Sequence, residues 1–379
     1  MSSLLGRGKS VRGMLTIDVR MIQAAGVGTY IRQLVPRVAS ALRGHSISLI
    51  GDADLLKTFS WSRERPFRII DCKAPIYSAR EQIELPVKIP KETALFWSPH
   101  YNHPLLYRGR VLVTVHDTFH LAMPEFVSGW HRRMYASIMF RAVRKKADGI
   151  LCVSEFGKEQ LVMFCPQGKQ SVTVVYNGVD RGWQANPAWS SPHPNPYILF
   201  VGNVKPHKNL RRLLDAFMLV EKESCDLVII GRREGFITGD PDLVQHASRM
   251  KERVHFLGEI DHEDERLRHY YAAAEALVLP SLYESFGLPA LEAMALGCPV
   301  IVSKVGGLPE VCGDVALYVN PYDVSDIATQ IERILTDRTL RDRLKQAGIA
   351  RAEQFDWDRA ATSTVEVITD LLGSKVGSC

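Results

Sequence analysis

Two acids, Glu284 and Glu292, flank a Ser-Phe-Gly-Leu-Pro turn inside the otherwise apolar stretch YESFGLPALEAMALGCPVIVS, residues 283–303. A loop carboxylate in solvent needs no function, and an acid in the first turn of a helix gains about 0.3–1 kcal/mol from the dipole alone. Neither reading explains the Gly-Leu-Pro entry between the two acids. Such a turn presents unpaired backbone N–H groups at the positive end of a helix, a ready site for phosphate. Phosphate beside carboxylates able to grip hydroxyl groups suits a sugar nucleotide.

The elements around the acids place them at the end of a strand. EALVLP (275–280) reads as a strand, 281–287 as a loop and LPALEAMAL (288–296) as a helix with Pro289 in its first turn and Gly297 beyond its end. PVIVS (299–303) is then the next strand, and Glu292 is expected in the first helical turn. The same grammar opens both halves of the chain. MLTIDV (14–19) is a strand, RMIQAAGVG a glycine loop, and Thr29 to Leu42 a helix with Tyr30, Leu34, Val38 and Leu42 on one stripe. YILFVG (197–202), the loop NVKPHKN, the helix LRRLLDAFMLVE (210–221) and the strand DLVIIG (226–231) repeat it. Between the halves, 181–196 carries four prolines and reads as a linker. These patterns imply an α/β protein of two Rossmann-like domains, doubly wound parallel sheets facing across a cleft, spanning 1–190 and 191–354. A helix over 355–379 is expected to cross back onto the first domain. In such sheets ligands bind at the carboxyl ends of the strands.

Composition narrows the function. The chain of 379 residues is 46% hydrophobic and 23% charged, and no window holds about 18 apolar residues. Its start has basic residues but no apolar signal region, so a cytoplasmic location is expected. Seven cysteines are scattered without a C-x-x-C spacing, which argues for reduced thiols over a zinc site. Residues 1–190 hold 26 Lys and Arg against 14 Asp and Glu, while the remainder holds 21 against 28. A basic first half points to an anionic partner. In HRRMYASIMFRAVRKKADG (131–149) six cations share a helix with Met134, Ile138, Phe140 and Val143, either a surface helix with a core stripe or a lipid-docking one. The expectation is a peripheral contact with anionic membrane on its inner face, and no nucleic acid.

The order of motifs resembles that of the retaining glycosyltransferases of family 4, which have the GT-B fold. The resemblance covers nearly the whole chain: GVGTYIRQL (26–34), VHDTFH (115–120), CVSEFGKEQL (152–161), VVYNGVD (174–180), FVGNVKPHKNL (200–210), the E-x7-E stretch of Glu284 and Glu292, and FDWDRAA (355–361). It implies that Glu284 binds hydroxyls of the transferred sugar and Glu292 the nucleotide ribose. It also implies that Lys208 and the amides of Phe286, Gly287 and Leu288 hold the diphosphate, with Gly26 closing from the first domain. Gly202, Gly231, Arg232 and Leu257 would line the donor pocket, and His116 and Asp117 the acceptor side. Asn203 stands where the family usually has arginine, so one expected cation is missing, with Lys205, Arg232 or Arg233 as replacements.

Other patterns carry less. His116 and His120 are four apart, a metal spacing on a helix, but RVLVTV before them is a strand. Hydrogen-bonding or core roles are expected for His100, His103 and His120, and an acceptor role for His116. GDPD (239–242) reads as a polar loop rather than a manganese motif, and AGVGTY lacks the third glycine of a dinucleotide fingerprint. The expected protein is a metal-independent, retaining hexosyltransferase of mannose or glucose type without cofactor. It would move a sugar from UDP or GDP to a hydroxyl of a lipid-linked or oligosaccharide acceptor in polysaccharide or glycolipid synthesis, with Glu284, His116 and Lys208 as its catalytic set. A sugar-nucleotide epimerase of the same fold and a non-catalytic nucleotide-sugar binder are the rivals.

Overall fold

The computed structural model describes residues 13–373 except 128, 169, 181, 187, 222–223 and 233–251. The GDPD motif and Arg233 lie outside the described residues. Two parallel sheets build the molecule. The first runs β3-β2-β1-β4-β5-β6-β7, from β1 (Met14–Asp18), β2 (Ile47–Gly51), β3 (Arg68–Asp71), β4 (Thr93–Ser98), β5 (Val111–Val115), β6 (Gly149–Cys152) and β7 (Val172–Val174). The second runs β10-β9-β8-β11-β12-β13, from β8 (Tyr197–Val201), β9 (Asp226–Ile230), β10 (Val254–Gly258), β11 (Ala276–Leu279), β12 (Val300–Ser303) and β13 (Leu317–Val319). Residues such as VLVTV in β5 and DLVII in β9 are buried at every position. That is what helices on both faces of a parallel sheet require. In each sheet the strand order reverses between the first and fourth strands, β1/β4 and β8/β11, and opens a crevice at their carboxyl ends. This is the GT-B architecture.

The first helix departs from the sequence reading. It spans Ala25–Ala41, so Gly26 and Gly28 belong to its first turn rather than to a loop before Thr29. Gly28 is needed because a Cβ there would stand 2.5 Å from the Ile22 carbonyl, whereas nothing lies within 4 Å of one at Gly26.

The chain passes between the sheets twice, and the two crossings lie side by side. Val179 bridges Asp356 and its N–H donates to the Phe355 carbonyl at 3.1 Å. The helix Trp357–Gly373 then packs along Ala25–Ala41 and against β4. Two tryptophans of the proline-rich stretch after 181 pack against the second domain: Trp183 stacks on His262, in the loop after β10, and Trp189 lies against His269, on the helix Glu265–Ala273. A Cβ on Gly178 would sit 2.2 Å from the Trp357 nitrogen. Gly178→Ala is therefore expected to lower stability by about 1–3 kcal/mol through overpacking, with the terminal helix the first element to lose hydrogen-exchange protection. An unchanged denaturation midpoint would contradict this.

Candidate functional site

The two acids sit near the carboxyl edge of the second sheet in different environments. The loop after β11 carries Glu284, and the loop after β8 carries Lys208 in a single 3-10 turn, Pro206–Lys208. Because β8 and β11 are neighbours, these loops meet, and the Lys208 ammonium pairs with Glu284 Oε1 at 2.5 Å. The Ser281 hydroxyl donates to the same oxygen at 3.1 Å. Glu284 is buried, so the solvated-loop reading of it is excluded.

Glu292 is also buried, and it belongs to the second turn of the helix Leu288–Ala295, not the first. First-turn dipole stabilisation therefore does not explain it. One oxygen accepts from Tyr271 at 2.8 Å and the other from His262 at 2.9 Å. His262 stacks on Trp183, with ring centroids 4.8 Å apart. Burial lowers the basicity of His262, but the charge and hydrogen bond of Glu292 outweigh it and leave the imidazole above its ordinary value. Burial, reinforced by the charge of Glu292, pushes the Tyr271 phenol well up.

Between the acids lies the glycine entry. Gly287 has φ +94°, and its Cβ would meet Leu308 at 2.6 Å, so glycine is required there. No side chain caps this helix, and the N–H groups of Gly287 and Leu288 have no internal acceptor among the described residues. Phe286 turns its ring into the core, edge-on to Phe355, leaving only its backbone to face a ligand. The helix Ala25–Ala41 of the first domain likewise starts without a side-chain cap or a first-turn acid. Three further positions line the strand ends. Gly202 and Gly231, with φ +155° and +153°, end β8 and β9, and a Cβ on Gly231 would stand 2.0 Å from the Gly202 carbonyl. Leu257, near the end of β10, is 39% exposed.

The missing cation is partly resolved. Asn203 accepts from the Arg232 backbone N–H at 3.3 Å, and the Arg232 guanidinium is turned outward onto Glu259 at 2.6 Å. Lys205 lies beside Lys208: burial first, then the charge of Lys208, holds its ammonium below the usual lysine range. The neighbouring His207 imidazole is pushed down to about 2 by burial and both lysines.

From the first domain, β5 ends at His116 and Asp117. His116 donates from Nε2 to the Pro99 carbonyl at 2.8 Å and packs edge-on against Tyr30, and burial keeps it neutral. That nitrogen is occupied. Asp117 caps the next turn through the Phe119 N–H at 3.0 Å. His100 bonds Tyr77, and His103 bonds the Tyr101 carbonyl. No metal-ligand group among the described residues includes these histidines. The sequence reading missed several supports: Tyr283, bonded to Thr118 at 3.3 Å; Tyr271 and His262 behind Glu292; and buried Arg20, paired with Asp18 and Glu81 at 2.6 Å each. Of these only Tyr283 adjoins a motif, standing one residue before the E-x7-E stretch.

Comparison with known proteins agrees with this geometry. Residues 24–183 match the family described as Glycosyltransferase Family 4, and residues 183–351 match Glycosyl transferases group 1. The O-antigen chain mannosyltransferase B of Escherichia coli is 27% identical over 388 aligned positions, 90% of this chain and 94% of that protein. Sucrose-phosphate synthase from Thermosynechococcus elongatus superimposes with a TM-score of 0.77 at 23% identity, covering 96% of this chain and 100% of that one. HepE of Anabaena, solved in complex with UDP-glucose, does so with 0.75 at 18%, covering 94% and 99%. With its two switch-point crevices and matches over both halves, the chain belongs to the group 1 glycosyltransferases of GT-B fold.

Proposed function

We propose that the protein is a retaining hexosyltransferase that takes mannose or glucose from a nucleoside diphosphate and places it on a hydroxyl of a lipid-linked or oligosaccharide acceptor, in polysaccharide or glycolipid synthesis. The observation that carries this reading is the Lys208–Glu284 pair beside the uncapped turn at Gly287 and Leu288. The E. coli relative named for O-antigen mannosyl transfer and the Anabaena structure with UDP-glucose support the substrate class.

The chemistry follows from charge. Departure of a nucleoside diphosphate builds negative charge on the β-phosphate, which Lys208, Lys205 and the free N–H groups are positioned to stabilise. Such a cationic site needs no divalent ion at the phosphate. Glu284 is tied by an ammonium and a hydroxyl on Oε1, an arrangement suited to gripping sugar hydroxyls rather than to displacing the leaving group. Attack from the face of departure then delivers the acceptor proton to the leaving phosphate, with retention. Asp117 lies on the side where the acceptor enters. His116, bonded to the Pro99 carbonyl, serves there by shape and by holding the strand end.

The acceptor reading extends to the membrane. On the helix Trp130–Lys146, Phe140 and Val143 face inward, but Trp130, Met134 and Ile138 form an exposed stripe at spacing i, i+4, i+8. Exposed Arg132, Arg133, Arg141 and Lys145 share that helix, while Arg144 is buried against the Cys165 carbonyl. Apolar anchors with basic neighbours fit anionic lipid, at about 1 kcal/mol per cation near the surface. No helix among the described residues is long and apolar enough to cross a membrane. The protein should sediment with anionic but not neutral vesicles at low salt; equal binding to both, or to neither, removes this contact.

Two further outcomes test the site. Glu292→Ala should weaken nucleoside diphosphate and intact donor alike, because ribose is common to both. Glu284→Ala should leave diphosphate affinity nearly unchanged while transfer falls roughly ten- to hundredfold, the loss of a charged hydrogen bond of about 1.5–3 kcal/mol. Calorimetric titration of both variants alongside transfer assays decides; loss of diphosphate binding in Glu284→Ala, or full turnover, refutes its role. Transfer should also persist in EDTA. Activity lost there and restored by Mg²⁺ or Mn²⁺ would place a divalent ion at the phosphate.

A further inference from the structure

At the amino ends of β9 and β10, away from the cleft edge that carries Lys208 and Glu284, three groups from distant parts of the chain converge. Asp226 opens β9, His255 is the second residue of β10, and His193 precedes β8. His193 Nε2 lies 2.6 Å from Asp226 Oδ2, and His255 Nε2 lies 3.1 Å from the same oxygen. The Asn195 amide donates to that oxygen as well, at 3.0 Å. The two imidazole rings stand 4.7 Å apart at 60°.

This arrangement is over-supplied with donors. A carboxylate oxygen has about two lone-pair sites, yet three N–H groups are aimed at Oδ2. Asp226 is only 2% exposed, so water does little to share the load. Two neutral imidazole nitrogens and one carboxylate oxygen are also the donor set of a three-ligand transition-metal site. Replacing the two imidazole protons by one cation would satisfy the same oxygen and both rings.

We propose that His193, Asp226 and His255 bind a divalent transition ion of the Zn²⁺ class, with water in the fourth position. The three ligand atoms already lie within 4.8 Å of one another. Ligands of a tetrahedral zinc with bonds of about 2.0–2.1 Å stand roughly 3.3 Å apart, so modest side-chain rotation closes the cage. His255, whose side chain is 32% exposed, is free to supply that rotation and gives the ion an entry path. Asn195 is the outer-shell partner that orients the aspartate. The bound ion would fasten the stretch that leads into β8 to the base of the second sheet. It is a structural site and takes no part in transfer.

The test is calorimetric titration of the full, tag-free chain, stripped with chelator and dialysed, with Zn²⁺. One ion per chain at micromolar or tighter affinity is expected, with no response to Mg²⁺ at the same concentration. Affinity should fall at least about tenfold in His193→Gln and in His255→Gln, and the midpoint of thermal unfolding should rise with Zn²⁺ in the wild type but not in the double variant. Absence of binding, or binding that survives the double substitution unchanged, overturns the site. Should the double variant not fold, Co²⁺ added to the wild type decides instead. A visible tetrahedral cobalt spectrum bleached by one equivalent of Zn²⁺ supports the site, and its absence refutes it.

Discussion

Burying Glu284 beside Lys208 is the costly arrangement on which the cleft depends. A carboxylate removed from water at this depth is tolerated only with a close counter-charge and fixed geometry. The backbone around it is accordingly locked from two sides. Gly307 donates to the Glu284 carbonyl at 2.8 Å, and a Cβ on Gly306, at φ +61°, would stand 1.9 Å from that oxygen. From the first domain, the Ser154 hydroxyl donates to the Ser285 carbonyl at 2.6 Å. The loop is therefore held from both domains, with the Lys208 ammonium fixed beside it.

The second acid shows how the same residue type is tuned differently. Glu284 has an ammonium partner whose charge a phosphate would compete for. Glu292 is held by a phenol and an imidazole stacked on an indole, with no lysine or arginine partner among the described residues. Tyr271 and His262 fix its rotamer, and Trp183 packs on both of their rings.

Much of this was legible in the sequence because period and punctuation speak directly. The β-strand, glycine loop and helix units of both halves, the crossing helix and the E-x7-E stretch appear where hydrophobic runs and turn residues place them. Boundaries were less legible. The first helix begins at Ala25, so Gly26 and Gly28, read as loop, lie in its first turn; the helix of Glu292 begins at Leu288 as expected, but Glu292 is its fifth residue and falls in the second turn. On the basic helix, hydrophobicity left Met134 and Ile138 between a core stripe and a lipid-facing one; both are exposed, while Phe140 and Val143 are buried. The His193, Asp226 and His255 cluster had no signal at all. Its members lie 33 and 29 residues apart and meet only through the β8–β9 and β9–β10 pairings.

The contacts between the halves lie at the crossings and across the cleft floor, and both sets mix apolar and polar groups. At the crossings Phe286 and Tyr176 pack on Phe355 and Gly178 lies against Trp357, while Arg37 pairs with Asp180 and Asp358 at 3.1 and 3.0 Å. Across the cleft floor Phe119 packs on His207 and Tyr283, and Phe156 on Tyr283. Glu310 of the second domain caps the Glu155 and Phe156 N–H groups of the first at 2.7 and 3.2 Å, Thr118 meets Tyr283, and Arg32 reaches Glu263 at 3.4 Å. Phe286 belongs to the crossing through its ring and to the glycine turn through its backbone, so the packing that joins the halves also fixes the turn between the two acids.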